Sequence, residues 1–502
     1  VNAGDGQGQI ITEAVKVKAD GELNISAGSL ENRAVYDSVV ETREVEHWSA
    51  SLGANIEYKD VTRPLKKVVD GIDQTKVYQP SVLDALDPPN AGLDLAVSVR
   101  DSRAESGSTT AVVSEFEGGS VKVQVDGALT DTGTRYVATD GLLSITADSH
   151  DFAAAEDTTF SRDKGTDVDT ALRAYTTTGS DINARILGAG GSFDLRQATG
   201  TAVPGSLEGK YGIQVQLGTD GRYEGTRFDA GKGDLKIRTP GSLSFTEARD
   251  WQTSNETTLG GFGWVEAGTS PDTLKKANAG GQLDKAWLEV EDTQGRSASL
   301  FAEGVTEIVA GQDLTLQGTQ IDSNGDVRLK AGGDVEFLAG VDTYSARGGN
   351  LGGGGRVSVK ATQSDTASGG NGAFGLQGSV GSIEERSTLQ RGGSVDSRGT
   401  VQIEGRNVQL QGVQGNAQAF ELAATDGNLI LESAVSDEQR NNKALTAGLG
   451  ASLARSSDSS NNGSGLFARV KGGIDQLDSQ THDNTRLRAD RVQLDSRGDT
   501  RL

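Results

Sequence analysis

Histidines, carboxylates, a glycine run and a cluster of aromatics are the residues of this chain that could do chemistry. The three histidines, His47, His150 and His482, lie far apart in charged or polar settings, and each is expected to be solvated. No HExxH or GxSxG pattern surrounds them, so the zinc and serine hydrolase constellations are missing. The run Gly352–Gly355 leads into Arg356 without the Lys-Ser/Thr of a phosphate loop, and reads as a flexible hairpin tip. The 71 Asp and Glu residues could supply the paired carboxylates of a glycosidase. However, the recurring Asp residues sit at Gly-Asp and Asp-Gly steps, where side-chain-to-backbone hydrogen bonds make turns. Calcium at such corners would call for the nonapeptide GGxGxDxUx, which the sequence lacks. With no cysteine there is no disulfide, thiolate zinc site or Cys nucleophile. The expectation is a protein that is not an enzyme, with no cofactor and no metal. A polysaccharide-active β-helix enzyme is the alternative, and a cleft of carboxylates on one face would mark it.

Two places carry binding chemistry instead. Arg497-Gly498-Asp499 has the form of an integrin-binding tripeptide. Its aligned copies read Asn-Gly-Asp at 324–326 and Arg-Gly-Thr at 398–400, which favours an ordinary corner that carries Arg. Trp251, Phe262, Trp264 and Trp287 fall within 37 residues and form the candidate recognition cluster, although aromatics at the rim of a β-helix more often cap it.

The elements that must position these residues are short strands. In DLTLQGTQIDSNGDVRLKAGGDVEFLAGV (313–341), the apolar pairs Leu314/Leu316, Val327/Leu329 and Val335/Phe337 alternate with polar residues. Period-two alternation over so few residues marks a strand with one buried face. The Gly-Asp steps between them are expected to supply positive φ. The pattern recurs: QIDSNGDVRL (320–329) aligns with QLDSRGDTRL (493–502) and, more loosely, with SVDSRGTVQI (394–403). Such self-similarity points to a solenoid.

The run AGQDLTLQGTQIDSNGDVRLKAGGDVEFLAG resembles the haemagglutinin repeats of filamentous haemagglutinin, from the large exoproteins of two-partner secretion. Those exoproteins include contact-dependent growth inhibition effectors. The resemblance covers roughly 300–345, 393–435 and 483–502, is recognisable at 13–58, and fades between about 100 and 230. It implies export through an outer-membrane two-partner transporter. The expected place is outside a Gram-negative cell, secreted or on its surface. The implied role is that of an adhesive rod engaging a target-cell surface or envelope, in one branch during toxin delivery.

Composition agrees with a solenoid. Glycine takes 69 of 502 positions with only seven prolines, and aromatics are 5%, thin for a globular core. A net charge of −23 repels phosphate backbones and anionic surfaces, so nucleic acid is not an expected partner. No run of 18 apolar residues suggests a membrane-crossing helix. The sequence begins with Val1 and contains no Met, which reads as a piece of something longer or a processed product.

The fold expected is all-β: a mostly right-handed parallel β-helix with extruded hairpins and one small helical excursion. Residues 1–60 read as coils with an extruded hairpin, 41–48 folding back on 49–58. Residues 61–90 read as the helical excursion, from Pro64 near a helix start to Pro88-Pro89. Residues 91–300 read as irregular β-helix with long loops. Residues 301–502 read as regular coils interrupted by extruded loops at 346–392 and 436–482. About 12 coils at ~4.8 Å would give a rod on the order of 60 Å.

Overall fold

The computed structural model describes residues 7–57, 90–176, 181–270, 273–363, 368–457 and 462–502. Its regular elements are all strands, in two interlocked parts. The first is a parallel β-helix whose three faces are sheets of 11, 10 and 10 strands. One coil runs through Ser299–Ala302, Thr306–Ala310 and Leu314–Gln317. The next runs through Gln320–Ser323, Val327–Ala331 and Val335–Leu338. Stacked partners such as Ser299 and Gln320, or Leu314 and Val335, are one coil apart in sequence. Ten coils at ~4.8 Å give a helix about 48 Å long, shorter than the sequence estimate.

Inward-facing Leu, Ile and Val ladders fill the helix, with Tyr223, Phe228 and Phe245 packed at ring separations of 5.1 to 5.9 Å. Each fully buried side chain of this size contributes about 1.5–3 kcal/mol over leaving it exposed. One corner is stitched by side chains. Asp313 Oδ1 accepts from the Asp334 amide at 2.9 Å, and Asp334 Oδ1 accepts from the Asn407 amide at 3.3 Å. Asn407 Oδ1 accepts from Asn428, and Asn428 Oδ1 accepts from Asp499, each at 2.9 Å. The repeated Asp and Asn residues therefore tie each coil to the next.

The glycines at these corners do not have positive φ. Gly325, Gly333 and Gly427 are absent from the left-handed region; the positive-φ glycines include Gly133, Gly225, Gly318 and Gly412. Close stacking is what demands glycine at the Asp corners, since a Cβ on Gly325 would stand 2.6 Å from the Gly304 carbonyl oxygen. The four left-handed glycines recur 92 to 94 residues apart, each followed by Thr or Val and then Arg or Gln. Ala14, at φ 51°, stands at the same place in the first repeat. At each of these corners a coil turns tightly where a neighbouring coil instead sends out a hairpin.

Those hairpins are the second part. Ten strands of 21 to 24 residues pair in chain order into one antiparallel sheet. The five hairpins are Val35–Glu57 with Asn90–Val112, Ala155–Thr176 with Ile182–Val203, Ala248–Ser270 with Thr273–Arg296, Gly340–Gln363 with Ser368–Arg391, and Ala434–Ser456 with Gly463–Asp483. Two coils separate each from the next. The necks are pinned. Between the third and fourth hairpins, buried Glu247 accepts from the Val341 amide at 2.9 Å and pairs with Arg391 at 3.2 Å.

Several expectations change here. Residues 41–48 and 49–57 lie on one strand, so they cannot fold back on each other; their partner is Asn90–Val112. The helical excursion at 61–90 lies outside the described residues apart from Asn90, which opens a strand. Residues 91–300 repeat the same unit of two coils and a hairpin. The described residues of the stretches 346–392 and 436–482 are paired hairpin strands rather than loops. Gly352–Gly355 lies inside a strand, not at a tip.

Candidate functional site

Paired residues in an antiparallel sheet point to the same side, so the register sorts the hairpin sheet into two faces. One row on the first face crosses all ten strands: Leu52, Leu95, Leu172, Ile186, Val265, Ala279, Val357, Phe374, Ala451 and Leu466. A parallel row on the same face holds Ala50, Val97, Thr170, Gly188, Gly263, Gly281, Gly355, Leu376, Leu449 and Ala468. The rows through Val99 and Leu93 complete a band with no charged residue. Charge returns on this face in the next row on the helix side, at Glu46, Asp101 and Lys285, and at Lys275 and Arg455 toward the tips.

The opposite face is polar. In its row through Asp94 stand Arg173, Arg185, Glu266, Asn278 and Ser358. Arg173 holds Asp94 through Nη1 at 3.0 Å, and Glu266 pairs with Arg185 at 3.0 Å and Lys276 at 2.9 Å. Burial pushes the Glu266 carboxyl up, but Lys276 and Arg185 outweigh it and hold the group below its usual range. Arg173, Arg185 and Lys276 surround the Tyr175 ring at 5.7, 5.3 and 5.9 Å. Desolvation raises the Asp284 and Asp167 carboxyls on the same face.

Burial runs opposite to polarity. Leu283 and Leu376 on the apolar face are 66% and 55% exposed, whereas Arg185 and Glu266 on the polar face are 6% and 1% exposed. A sheet in water normally buries its apolar side. This one encloses its ion pairs and presents its hydrocarbon. A belt of glycines through Gly190, Gly261, Gly281 and Gly353 leaves part of the apolar face without side chains.

The sequence-predicted residues are dispersed on this framework. Trp251, Phe262, Trp264 and Trp287 share the third hairpin but not a surface: Trp251 and Trp287 stand on the apolar side, Phe262 and Trp264 on the polar side, with Trp264 only 5% exposed. Trp287 lies just beyond the helix-side border of the charge-free band, in the row of Arg103, Lys164 and Asp194. Arg497-Gly498-Asp499 forms a β-helix corner, with the Gly498 amide donating to the Gly427 carbonyl at 2.9 Å.

His150 is not solvated. Stacking places Asp131 beside it, and Nε2 donates to that carboxylate at 2.8 Å within the helix core. Nδ1 is then left to accept from the Tyr223 hydroxyl at 3.3 Å. Asn32 donates to Asp131 at 2.6 Å and to the Tyr136 hydroxyl at 2.8 Å. Burial first, then the Asp131 charge, pushes both tyrosines up. The 19-residue separation of Asp131 and His150, close to a coil length, was the signal in the sequence. These side chains are sealed from solvent, so the network braces the core. No group of three or more metal-ligating side chains occurs among the described residues.

The Hemagglutinin repeat profile matches residues 95–261, 279–420 and 374–502, most of the chain. The chain belongs to the hemagglutinin-repeat family. This repeat protein is a filamentous haemagglutinin-type exoprotein of two-partner secretion, secreted or at the cell surface of a Gram-negative bacterium. It is 29% identical to a hemolysin of Serratia marcescens over all of its own length and 32% of that protein. A hemolysin of Proteus mirabilis is 28% identical over 86% of this chain and 28% of its own. The tRNA nuclease CdiA-2 of Burkholderia pseudomallei (strain 1026b) is 25% identical over 71% of this chain and 10% of its own. The chain thus spans about a third or less of the curated relatives it matches. No solved structure matches it.

Proposed function

We propose that the repeat protein is an adhesive rod that a two-partner transporter exports, and that it engages a target-cell envelope by placing the outer half of its hairpin sheet in lipid. The β-helix is the scaffold and the sheet is the contact surface. The observation that carries this reading is the charge-free band. It is bounded by the rows through Asp101 and Ala91. That height matches the 9–11 residues of a tilted membrane-crossing β-strand and a lipid-facing band about 25 Å tall. Trp48 and Trp287, near its helix-side border, have the amphipathic rings that settle at a membrane–water interface. An apolar surface that crosses ten strands is far broader than the scattered apolar residues of an ordinary surface. The names of two relatives, both hemolysins, agree with a membrane target. The reading requires no catalytic step, cofactor or nucleic acid.

Flotation with lipid vesicles tests it. The protein is expected to rise with vesicles through a density gradient and to resist extraction by high salt, because hydrocarbon burial rather than charge holds it. Protein that stays at the bottom of the gradient, or is released by salt, would overturn the proposal.

A further inference from the structure

The polar face has a charge asymmetry that the whole-chain balance hides. In the outer parts of the last four hairpin strands, residues 351–363, 368–382, 443–456 and 463–474, there is no Asp or Glu, in a chain that carries 71 of them. Four cations, Arg356, Lys360, Arg469 and Lys471, stand there on the polar face. On the amino-terminal strands the same face carries compensated groups, Arg173 with Asp94 and Arg185 and Lys276 with Glu266. The polar face is therefore neutralised on one side and positive on the other.

Insertion gives this face a consequence. Arg356 and Arg469 sit at the same heights along the strands as the apolar band on the reverse side. If the band is in hydrocarbon, these charges are at mid-membrane depth, where an ionised side chain is tolerated only against water or a partner. An amphipathic sheet can thus cross a bilayer only with water along its polar side, as the lumen-facing residues of membrane barrels do. Rings of Arg and Lys in such a path favour anions.

We infer that the inserted hairpin sheet lines an aqueous path whose anion preference is set by Arg356, Lys360, Arg469 and Lys471. This rests on the insertion proposed above and adds what the opposite face does. All four point away from the apolar band, so replacing them leaves the lipid-facing surface intact.

The test records single-channel currents of the purified protein in planar bilayers under a KCl gradient, alongside vesicle flotation of the same samples. The expected reversal potential corresponds to a chloride-to-potassium permeability ratio above one. Reversing the four charges (R356E, K360E, R469E, K471E) should bring it below one with flotation unchanged. If that variant does not fold, the neutral set R356Q, K360Q, R469Q, K471Q should bring the ratio toward one. Flotation without conductance would mean that the sheet lies flat in the interface, and would overturn the inference while leaving the insertion standing. Conductance that prefers cations, or that ignores the four substitutions, would also overturn it. Absence of flotation would remove both proposals.

Discussion

Leu376 and Gln377 are neighbours in sequence and lie on opposite faces of the hairpin sheet, which makes them a paired probe. Leu376 is 55% exposed and belongs to the apolar row between Gly355 and Leu449. Lysine there removes little packing in water, so folding stability should change by no more than about 0.5 kcal/mol. In a bilayer the same lysine sits in the middle of a lipid-facing band, where it costs about 2–4 kcal/mol. That cost corresponds to a roughly 30- to 700-fold loss of membrane partitioning, at about 1.4 kcal/mol per factor of ten. Gln377→Lys adds the same charge to the polar face and should leave both quantities unchanged. Urea unfolding gives the first quantity and vesicle titration by flotation the second. Leu376→Lys binding vesicles as well as the unmodified protein would refute the assignment of faces, as would equal losses in the two variants.

Four further outcomes follow from the same geometry. Gly225→Val forces a β-branched residue into φ 58° and its Cβ against Ala248, so it should destabilise by about 1–3 kcal/mol in urea unfolding; a neutral effect would contradict the corner assignment. His150→Leu takes one hydrogen-bond donor from buried Asp131, leaving Asn32 and Tyr136, and should cost about 1–3 kcal/mol; unchanged stability would mean the network is not sealed. Arg406 and Lys236 hold the Asp334 and Asp234 carboxyls below their usual range. Their contribution is complete above the unfolded value of about 4 and is lost as pH falls through the depressed folded values, so Asp334→Asn should weaken the acid dependence of the unfolding midpoint. At the Arg-Gly-Asp corner, Asp499→Glu and Arg497→Asn should both fold and attach to cells as before. Attachment lost in both, at unchanged stability, would make that corner an adhesive site.

The coils were legible because two of their three faces carry clear alternation, as in Leu314/Leu316 and Val327/Leu329. The third face was silent for a physical reason. Its strand Gln320–Ser323 presents only Ile321 as a large inward residue, and one residue has no period. The hairpin strands were visible as alternation, for instance Leu93, Leu95, Val97 and Val99, but nothing in one strand says which side is covered. A strand with its apolar side in a core and one with that side exposed have the same pattern. Only the partners, ten strands deep and uncharged at every rung, separate the two. The aromatic cluster shows the same limit of spacing arguments: an even or odd step along a strand decides the face, so Trp251 and Trp264, on one strand, part company. Glycine was misread at Gly325 and Gly333 because a turn residue can be required by contact as well as by φ.

The repeat length itself has a geometric cause. Parallel coils stack at ~4.8 Å, and antiparallel strands lie side by side at the same spacing, because both distances are set by the backbone hydrogen bond. Two coils therefore advance ~9.6 Å along the helix, and the two strands of one hairpin occupy ~9.6 Å of the sheet. A hairpin after every second coil keeps the two structures in step. A hairpin on every coil would crowd four strands into the space of two, and one on every third would leave gaps in the ladder. The observed order, with two coils between each pair of hairpins and all ten long strands paired in sequence, is the one spacing that lets both sheets run without a break. It also explains the left-handed glycines. Only one coil in two can release its chain into the sheet; the other must turn the same corner inside the helix, and at Gly133, Gly225, Gly318 and Gly412 it does so beside the neck of a hairpin. The Gly-Thr/Val-Arg/Gln step is thus the sequence mark of a coil that stays in the helix, and its 92- to 94-residue recurrence is the mark of the continuous apolar band.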